Sequence, residues 1–337
     1  MSERAKAFFI NGGAGRVICS IPALEKYAEE VSKNFIIVCE GPTDFYKGHP
    51  VLHERAYDHW HKNLFEDKLI NMELVSPEPY RVWEYFNQKC SISQAYDIAI
   101  NNKGIRELQK PTLRLSNEEV YTGYSIVGEV KAKTNKDKVV IFQPFGRGTQ
   151  ANNGLILDPS GRSFEGEHTV NIVKKLQKQG FAVIHMGELG LDYIQQGVSD
   201  PVAIPQNLNV RQWAGIINCA DYFLGCDSLG QHIAYALDKP ATVVVGSTFA
   251  INVSYPNYDK FDVLDMGGEI RRYSPIRITL DEVADRVNDG IMRMNEKVED
   301  AIVSSVVKGV KKFKNQLSPP AMKLEQQPTE PTCNGMK

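Results

Sequence analysis

The fold is indicated most clearly by residues 219–237, which read CADYFLGCDSLGQHIAYAL. An apolar run over residues 222–225 precedes a polar turn containing Asp227 and Ser228, and a stretch of small and apolar residues follows. This order predicts a buried strand, a turn and a helix. Backbone N–H groups and the helix dipole favour an anion at such a turn, which suits a phosphate-bearing ligand. An ordinary helix cap formed by the Asp or the Ser explains the same residues equally well.

Composition places the chain among ordinary globular proteins. Its 337 residues are enough for two domains, and it is 42% hydrophobic and 24% charged. The net charge of -2 gives no general attraction to nucleic acid or to a membrane surface. The sequence has no apolar run of membrane-spanning length, no signal-like N-terminus and no CxxC pair among its six cysteines. We therefore expect a soluble, cytoplasmic protein without a membrane span.

The first part of the chain predicts one strand–helix series. Strands are expected at residues 6–10 and 35–39, with a glycine-rich turn and a helix over residues 17–33 between them. Weaker helical patterns follow at residues 80–89, 93–101 and 117–127. Because residues 131–138 are charged and poor in apolar side chains, we predict a first domain over residues 1–130 and a linker over residues 131–138.

A second, clearer series predicts another domain over residues 139–278. Its strands are expected at residues 139–142, 181–185, 202–204, 222–225 and 242–245. Its helices are expected at residues 168–179, 210–219 and 230–237. Short apolar runs separated by amphipathic helices are typical of parallel strands, so the two halves predict a doubly wound α/β protein with a cleft between them.

The last part of the chain predicts helix and then disorder. Residues 279–282 form a capping-box pattern, which indicates a long C-terminal helical region over residues 279–317. After it, residues 318–337 are rich in Pro, Gln and Glu, and we expect a disordered tail.

Other motifs argue against several enzyme classes. Residues 11–17 with Glu40 resemble a dinucleotide-binding unit, but the third glycine position falls on Ile18. The histidines near residues 49–61 lack any HExxH pattern, so no metal site is expected. The chain also lacks a GxSxG elbow and a P-loop lysine motif, which gives no support to serine hydrolases or P-loop kinases.

Two stretches carry a resemblance to a known family. Residues 15–24 have the pattern Gly-x-Val-Ile-x-x-Ile-Pro-Ala-Leu, and residues 227–237 have Asp-Ser-x-Gly-x-His-Ile-Ala-x-Ala-Leu, followed by Lys239-Pro240 and a Gly-x-Thr turn at residues 246–248. This combination resembles the lipopolysaccharide heptosyltransferases, glycosyltransferase family 9. The resemblance implies a GT-B fold, with two facing Rossmann-like domains that hold parallel sheets, a long C-terminal helix, and a nucleotide-sugar donor bound by the second domain.

The resemblance also implies a set of donor-binding residues. Asp227, Ser228 and His232 match positions at the diphosphate and the sugar of the donor. Gly230 stands one place later than the family's glycine, because Leu229 occupies the expected position. Four further residues match donor-binding positions. Thr248 belongs to the Gly-x-Thr turn, and Arg162 matches a cation that neutralises phosphate. Glu188 matches an acid that binds the ribose, and Gln143 ends the first strand of the domain.

The chain departs from this family at the residue expected to act as catalytic base. The family has an Asp after the first glycine of its opening motif, whereas this chain has Arg16. A guanidinium stays protonated at neutral pH and cannot accept the proton of an attacking hydroxyl. Glu40 and Asp44 are the candidate substitutes, and Arg16 could instead bind an anionic acceptor or the donor phosphate.

The resulting expectation is an enzyme, a glycosyltransferase that uses a nucleotide-diphosphate sugar. Transfer is expected to invert the anomeric centre and to need no metal and no cofactor besides this co-substrate. The resemblance implies as acceptor a hydroxyl of a cell-surface glycan or lipopolysaccharide-type sugar. Two alternatives stay open: transfer to a modified nucleic-acid base, favoured by Arg16 and the basic end of the C-terminal helical region, and a nucleotide-sugar-binding protein without catalysis.

Overall fold

The computed structural model describes residues 4–152, 155–158, 160–187, 191–198, 200–268 and 290–313. Its strands are β1 (Lys6–Ile10), β2 (Phe35–Cys39), β3 (Ala56–Asp58), β4 (Glu73–Val75), β5 (Lys138–Gln143), β6 (Gln150–Asn152), β7 (Leu155–Leu157), β8 (Phe181–His185), β9 (Tyr222–Cys226), β10 (Ala241–Val245) and β11 (Phe261–Asp265). Its α-helices are α1 (Ala14–Glu30), α2 (Trp83–Phe86), α3 (Ile92–Asn101), α4 (Asn117–Thr134), α5 (Gly166–Lys178), α6 (Leu191–Gly197), α7 (Val210–Cys219), α8 (Leu229–Ala236), α9 (Ala250–Val253) and α10 (Glu296–Lys312).

The N-terminal half contains a parallel sheet with the order β3–β2–β1–β4. β1 and β2 are short apolar runs, and α1 connects them and packs Val17, Ile18 and Ile21 into the buried core. Ile10 pairs with Cys39, so the carboxyl ends of β1 and β2 lie at one edge of this sheet. That edge carries the glycine-rich turn before α1 and Glu40, directly after β2.

The C-terminal half contains a second parallel sheet with the order β11–β10–β9–β5–β8. β8, β9 and β10 are buried along their whole length, as expected for parallel strands covered by helices on both faces. The carboxyl ends of β5 and β9 lie side by side, because Gln143 pairs with Gly225. The α/β class with two parallel sheets is confirmed.

Helices α4 and α7 join the two halves at a contact between two glycines. Gly123 of α4 faces α7 and Gly215 of α7 faces α4, and a Cβ atom at either position would overlap the backbone of the other helix. Beside them, the buried Arg211 forms an ion pair with Glu119 at 2.7 Å. One apolar cluster contains core residues of both sheets, so the halves share a continuous core.

Most predicted strands and helices are confirmed, with shifted ends. The strand expected at residues 202–204 is wrong, because this segment forms only a single bridge between Ala203 and Ile184. The helix expected at residues 80–89 is reduced to α2 and a preceding 3-10 turn at Pro79–Arg81. β3, β4, β6, β7 and β11 were not predicted.

The connection between the halves is shorter than the predicted linker. α4 continues through Thr134 and ends at Asn135, a left-handed cap residue with φ 51°. β5 begins at Lys138, so residues 135–137 alone separate the helix from the strand. The charges of residues 131–134 belong to the last turn of α4, where lysines complement the helix dipole. The predicted domain boundaries themselves stay a prediction.

The C-terminal region is not one continuous helix. Residues 290–295 are non-helical, and the Asn295 side chain accepts a hydrogen bond from the backbone N–H of Val298 at 3.1 Å to open α10. Residues 279–289 and the tail predicted as disordered, 318–337, lie outside the described residues. No helix in the described ranges has both the length and the apolar character needed to cross a membrane.

Candidate functional site

The turn between β9 and α8 is organised by Gln143. Ser228 precedes the first residue of α8, and its hydroxyl makes no capping hydrogen bond to that helix. Instead, Gln143 Oε1 accepts a hydrogen bond from the Gly230 N–H at 2.8 Å, and Gln143 Nε2 donates to Ser228 Oγ at 3.3 Å. A Cβ atom at position 230 would lie 2.5 Å from Gln143 Oε1, so glycine permits this contact. The last residue of β5 therefore fixes the start of α8.

Asp227 is a buried carboxylate at the same turn. Its Oδ2 accepts a hydrogen bond from Thr248 Oγ1 at 3.0 Å, and its Oδ1 accepts one from Gln231 Nε2 at 2.9 Å. Burial raises the pKa of Asp227, while the charge of Arg162 and the two hydrogen bonds oppose that rise. Thr248 thus lies where the Gly-x-Thr resemblance placed it, beside the acid.

Arg162 faces Asp227 from a loop that a second carboxylate holds. Asp158 accepts hydrogen bonds from the backbone N–H groups of Ser160 and Ser163 at 2.8 Å and 3.0 Å. Arg162 Nε donates to Ser160 Oγ at 3.0 Å. Burial alone would lower the pKa of Arg162, but Asp227 and Asp158 raise it above its ordinary value. The guanidinium is therefore a fixed cation at the carboxyl edge of the sheet.

His232 lies where α8 meets α1. Its Nδ1 lies 2.8 Å from Tyr255 Oη and 3.4 Å from Cys19 Sγ, and a Cβ atom at position 15 would approach its ring to 3.5 Å. The side chain is 7% exposed, and burial lowers its pKa to about 4. His232 is consequently neutral at pH 7 and contributes hydrogen bonds, not charge.

Arg16 is paired on the opposite wall of the cleft. Its Nε donates to Tyr96 Oη at 2.9 Å, its Nη2 donates to Glu78 Oε1 at 3.1 Å, and its guanidinium lies 4.9 Å from the ring centroid of Tyr80. Burial alone would lower the pKa of Arg16, but Tyr96, Tyr80 and Glu78 raise it. The residue at the position of the expected base is therefore a permanent cation.

Tyr80 interacts electrostatically with charged residues of both halves. Burial raises the pKa of the Tyr80 phenol, and both Arg16 on its own side and Arg162 on the other side act electrostatically to lower it. Asp227 acts on the same phenol in the opposite direction. Arg16, Arg162 and Asp227 therefore lie near enough to Tyr80 to act on its charge.

A cavity of about 360 Å³ lies between the halves, with Glu40 on its wall. Glu40 Oε2 accepts a hydrogen bond from the Gly12 N–H at 2.5 Å, which fixes the carboxylate against the glycine-rich turn. The cavity is lined from both halves, by Gly13, Ala14, Glu40, Gly41, Pro42, Asp58, Arg147 and Val210. Asp44 is absent from this lining; it lies on a 3-10 helix and pairs with Lys47 at 2.6 Å.

The structure thus brings together most of the residues singled out in the sequence. Glu40 lies on the N-terminal side of the cleft, and Asp44 does not join it. Glu188 lies outside the described residues, so its predicted contact with the nucleoside stays a prediction. The residues predicted to bind the donor that lie together at the carboxyl edge of the second sheet are Gln143, Arg162, Asp227, Ser228, Gly230, His232 and Thr248.

Sequence reasoning missed several residues of this cleft. Tyr80 opens a segment predicted only as a helix, and Glu78 precedes it, so no signal pointed to Arg16 as their partner. Asp58 ends β3, a strand of three residues in a polar stretch that did not predict a strand. Arg147 follows the strand that ends at Gln143, and its position at the carboxyl end of a parallel strand could have indicated it.

Comparisons with known proteins agree on the fold. No family model and no curated protein matches the chain. A glycosyltransferase of family 9 from Veillonella parvula matches with a TM-score of 0.66 and 10% identity, over 92% of this chain and 98% of that one. The ADP-heptose lipopolysaccharide heptosyltransferase II of E. coli matches with a TM-score of 0.63 and 11% identity, over 92% and 99%. The chain has the GT-B fold.

A more distant neighbour shares this fold. TibC of enterotoxigenic E. coli, described as an iron-containing dodecameric glycosyltransferase, matches with a TM-score of 0.51 and 13% identity, over 94% of this chain and 80% of that one. In the described part of this chain, no group of three or more His, Cys, Asp or Glu side chains is arranged to hold a metal ion. The structural resemblance to glycosyltransferase family 9 is confirmed.

Proposed function

We propose that this protein transfers a sugar from a nucleotide-diphosphate sugar to an acceptor hydroxyl. The observation that carries the proposal is the cleft between the halves, which Glu40 of one half and Arg147 of the other line, next to the turn that holds Ser228 and Asp227. The neighbours of the same fold are described as glycosyltransferases, one of them named for ADP-heptose. The chemistry of the cleft supports a donor on the C-terminal side and an acceptor at the Glu40 cavity.

On the donor side, the proposal assigns the diphosphate to the start of α8 and to Arg162. Glycosyl transfer leaves a negatively charged nucleoside diphosphate, and a fixed guanidinium and helix-terminal N–H groups stabilise such a leaving group. Asp227 is held by hydrogen bonds from Thr248 and Gln231. In this account its charge orients Arg162, and its oxygens accept hydrogen bonds from hydroxyls of the sugar. The neutral His232 serves as a hydrogen-bonding group rather than as an acid.

On the acceptor side, Glu40 is the proposed general base. Inversion needs a base that takes the proton of the attacking hydroxyl as the bond to the sugar forms. Arg16 cannot accept this proton, and Asp44 lies outside the cavity in an ion pair with Lys47. Glu40 is an exposed carboxylate on the cavity wall, oriented by the Gly12 N–H. In this proposal the transfer inverts the anomeric centre and needs no metal. The acceptor is a hydroxyl of a glycan, and the reaction takes place in the cytoplasm.

Two isosteric variants test the assignment of the base. In Glu40→Gln the shape of the cavity is kept and the proton acceptor is lost, so transfer should fall about 100-fold or more. Asp44→Asn is the matched control and should retain transfer within about threefold. The measurement is release of nucleoside diphosphate from ADP-, GDP- and UDP-sugars with glycan acceptors, alongside calorimetric binding of the donor.

The two readouts separate failure of the base from failure of the function. Donor binding should be unchanged in Glu40→Gln, because the carboxylate lies on the acceptor side. Equal transfer by Glu40→Gln and the unmodified protein would remove Glu40 as the base. Absence of transfer with every donor, despite tight donor binding, would instead favour a nucleotide-sugar-binding protein.

A further inference from the structure

Arg147 reaches across the cleft from the C-terminal half. It lies in the loop after β5, yet it lines the cavity beside Gly13, Glu40 and Asp58 of the N-terminal half. A Cβ atom at position 13 would lie 2.9 Å from Arg147 Nη1, so the guanidinium rests against the glycine-rich turn, where a larger residue would displace it. The cavity is therefore completed by a cation from the opposite half.

The loop that carries Arg147 is held firmly. The Gly146 N–H donates to Ser163 Oγ at 2.8 Å, and Thr149 Oγ1 donates to the Gly146 carbonyl at 2.8 Å. Thr149 Oγ1 and Ser163 Oγ are themselves 2.7 Å apart, and both residues are buried. The base of the Arg147 side chain is thus fixed, which limits the positions that its guanidinium can reach.

Within the described ranges, Arg147 forms no ion pair with a carboxylate, unlike Arg16 and Arg211. Arg16 pairs with Glu78 at 3.1 Å, and Arg211 pairs with Glu119 at 2.7 Å. Arg162 is balanced by Asp227 and Asp158. Glu40 and Asp58 line the same cavity without an ion pair to Arg147. A guanidinium that lines a cavity and pairs with none of the described carboxylates is suited to an anion supplied by a ligand.

We propose that Arg147 binds an oxyanion of the substrates, a phosphate or carboxylate group, at the junction of the two halves. A guanidinium offers paired N–H donors that match the oxygens of either group. The inference rests on the proposed function, because the cavity is the acceptor site in that account. The oxyanion has two sources: the diphosphate of the donor, since Gly146 lies near Ser228, or an anionic group of the acceptor.

Calorimetric titrations on the full-length protein test this assignment. The variants are Arg147→Ala, Arg147→Lys and, as matched control, Arg293→Ala, which removes another exposed arginine of the C-terminal half away from the cavity. The probes are ADP, GDP and UDP, and then inorganic phosphate with the tightest of these nucleotides at saturation. We expect Arg147→Ala to weaken one probe about tenfold or more, Arg147→Lys to recover part of the loss, and Arg293→Ala to change nothing.

The two arms identify the source of the oxyanion. Weaker nucleotide binding by Arg147→Ala assigns Arg147 to the donor diphosphate. Unchanged nucleotide binding with weaker phosphate binding assigns it to an anionic acceptor. Affinities within about twofold for both probes would overturn the proposal, as would the absence of any binding to the unmodified protein. If phosphate binds but no nucleotide does, the proposed function fails. The role of Arg147 is then decided by comparing phosphate binding to the unmodified protein and to Arg147→Ala.

Discussion

Arg16 shows how one side chain changes the chemistry available on one wall of the cleft. Its guanidinium is bound to Tyr96 and Glu78 and lies over Tyr80, so it is a fixed positive charge and not a proton acceptor. In the proposed reaction, proton removal comes from another group on the N-terminal side. Glu40 is the proposed base, and it lies beside the glycine-rich turn because the next strand of the same sheet ends there.

His232 gives a residue-scale prediction about pH. Its pKa is about 4 in the folded protein and about 6.5 when unfolded, so between these values the unfolded chain binds the extra proton. Stability should therefore fall as pH drops from 6.5 towards 4, by at most about 1.4 kcal/mol per pH unit from this group. Urea unfolding of the unmodified protein and of His232→Gln at pH 7, 6 and 5 measures the difference.

His232→Gln should lose this part of the pH dependence of the free energy of unfolding, whatever its stability at pH 7. The pH slope is the informative quantity, because a change in packing shifts the free energy of unfolding at every pH alike. Parallel slopes for the two proteins would show that His232 is not the buried neutral group described above.

At the scale of elements, the contact between α4 and α7 sets how the halves meet. In Gly215→Ala the new methyl group would overlap the Glu119 carbonyl oxygen, so the helices must separate. We expect a loss of about 1–3 kcal/mol in the free energy of unfolding, as for overpacked cores. Gly128→Ala in α4, the partner helix of this contact, is the control, since its methyl group would meet open space and the helix should gain about 0.5–1 kcal/mol.

Chemical denaturation of both variants decides this point. Opposite signs for the two substitutions would support the tight glycine contact. A Gly215→Ala protein as stable as the unmodified one would mean that α4 and α7 are not packed this closely.

The elements that the sequence predicted best are those with a clear local pattern. β1, β8 and α7 keep their predicted bounds because each is a short apolar run or an amphipathic helix between clear turn residues. β3 and β4 contain three residues each and are stabilised by pairing with neighbouring strands, which no local pattern reports. The interruption at residues 290–295 was missed because Ile291 and Met294 keep helical spacing although they are buried in a non-helical segment.

The candidate site follows the same rule. Asp227, Ser228 and Gly230 were found because they lie within four residues of one another at one turn, and His232 follows on the helix that this turn opens. Tyr80, Asp58 and Arg147 come from three separate segments, and only the packing of the halves brings them to the cleft. Because tertiary contacts set the distances between separate segments, the spacing of these residues along the sequence could not assign them to the cleft.

At the scale of the whole molecule, the two halves form one unit with a cleft between the carboxyl edges of their sheets. The shared apolar core and the α4–α7 contact hold the halves together on one side. The cleft presents Arg162 and Asp227 from one sheet and Glu40 from the other. In the proposed function, the donor and the acceptor bind on opposite sides of this cleft, which is what direct transfer between them requires.

The most direct test is calorimetric titration with ADP-, GDP- and UDP-sugars of the unmodified protein, Arg162→Ala and a control, Lys174→Ala, which removes a charge from the exposed face of α5. The account predicts that at least one nucleotide-sugar binds the unmodified protein and Lys174→Ala alike. Binding to Arg162→Ala should be about tenfold weaker or more, since a charge-assisted hydrogen bond is lost. No binding by any nucleotide-sugar, or equal binding by Arg162→Ala, would contradict a donor site at this edge of the sheet.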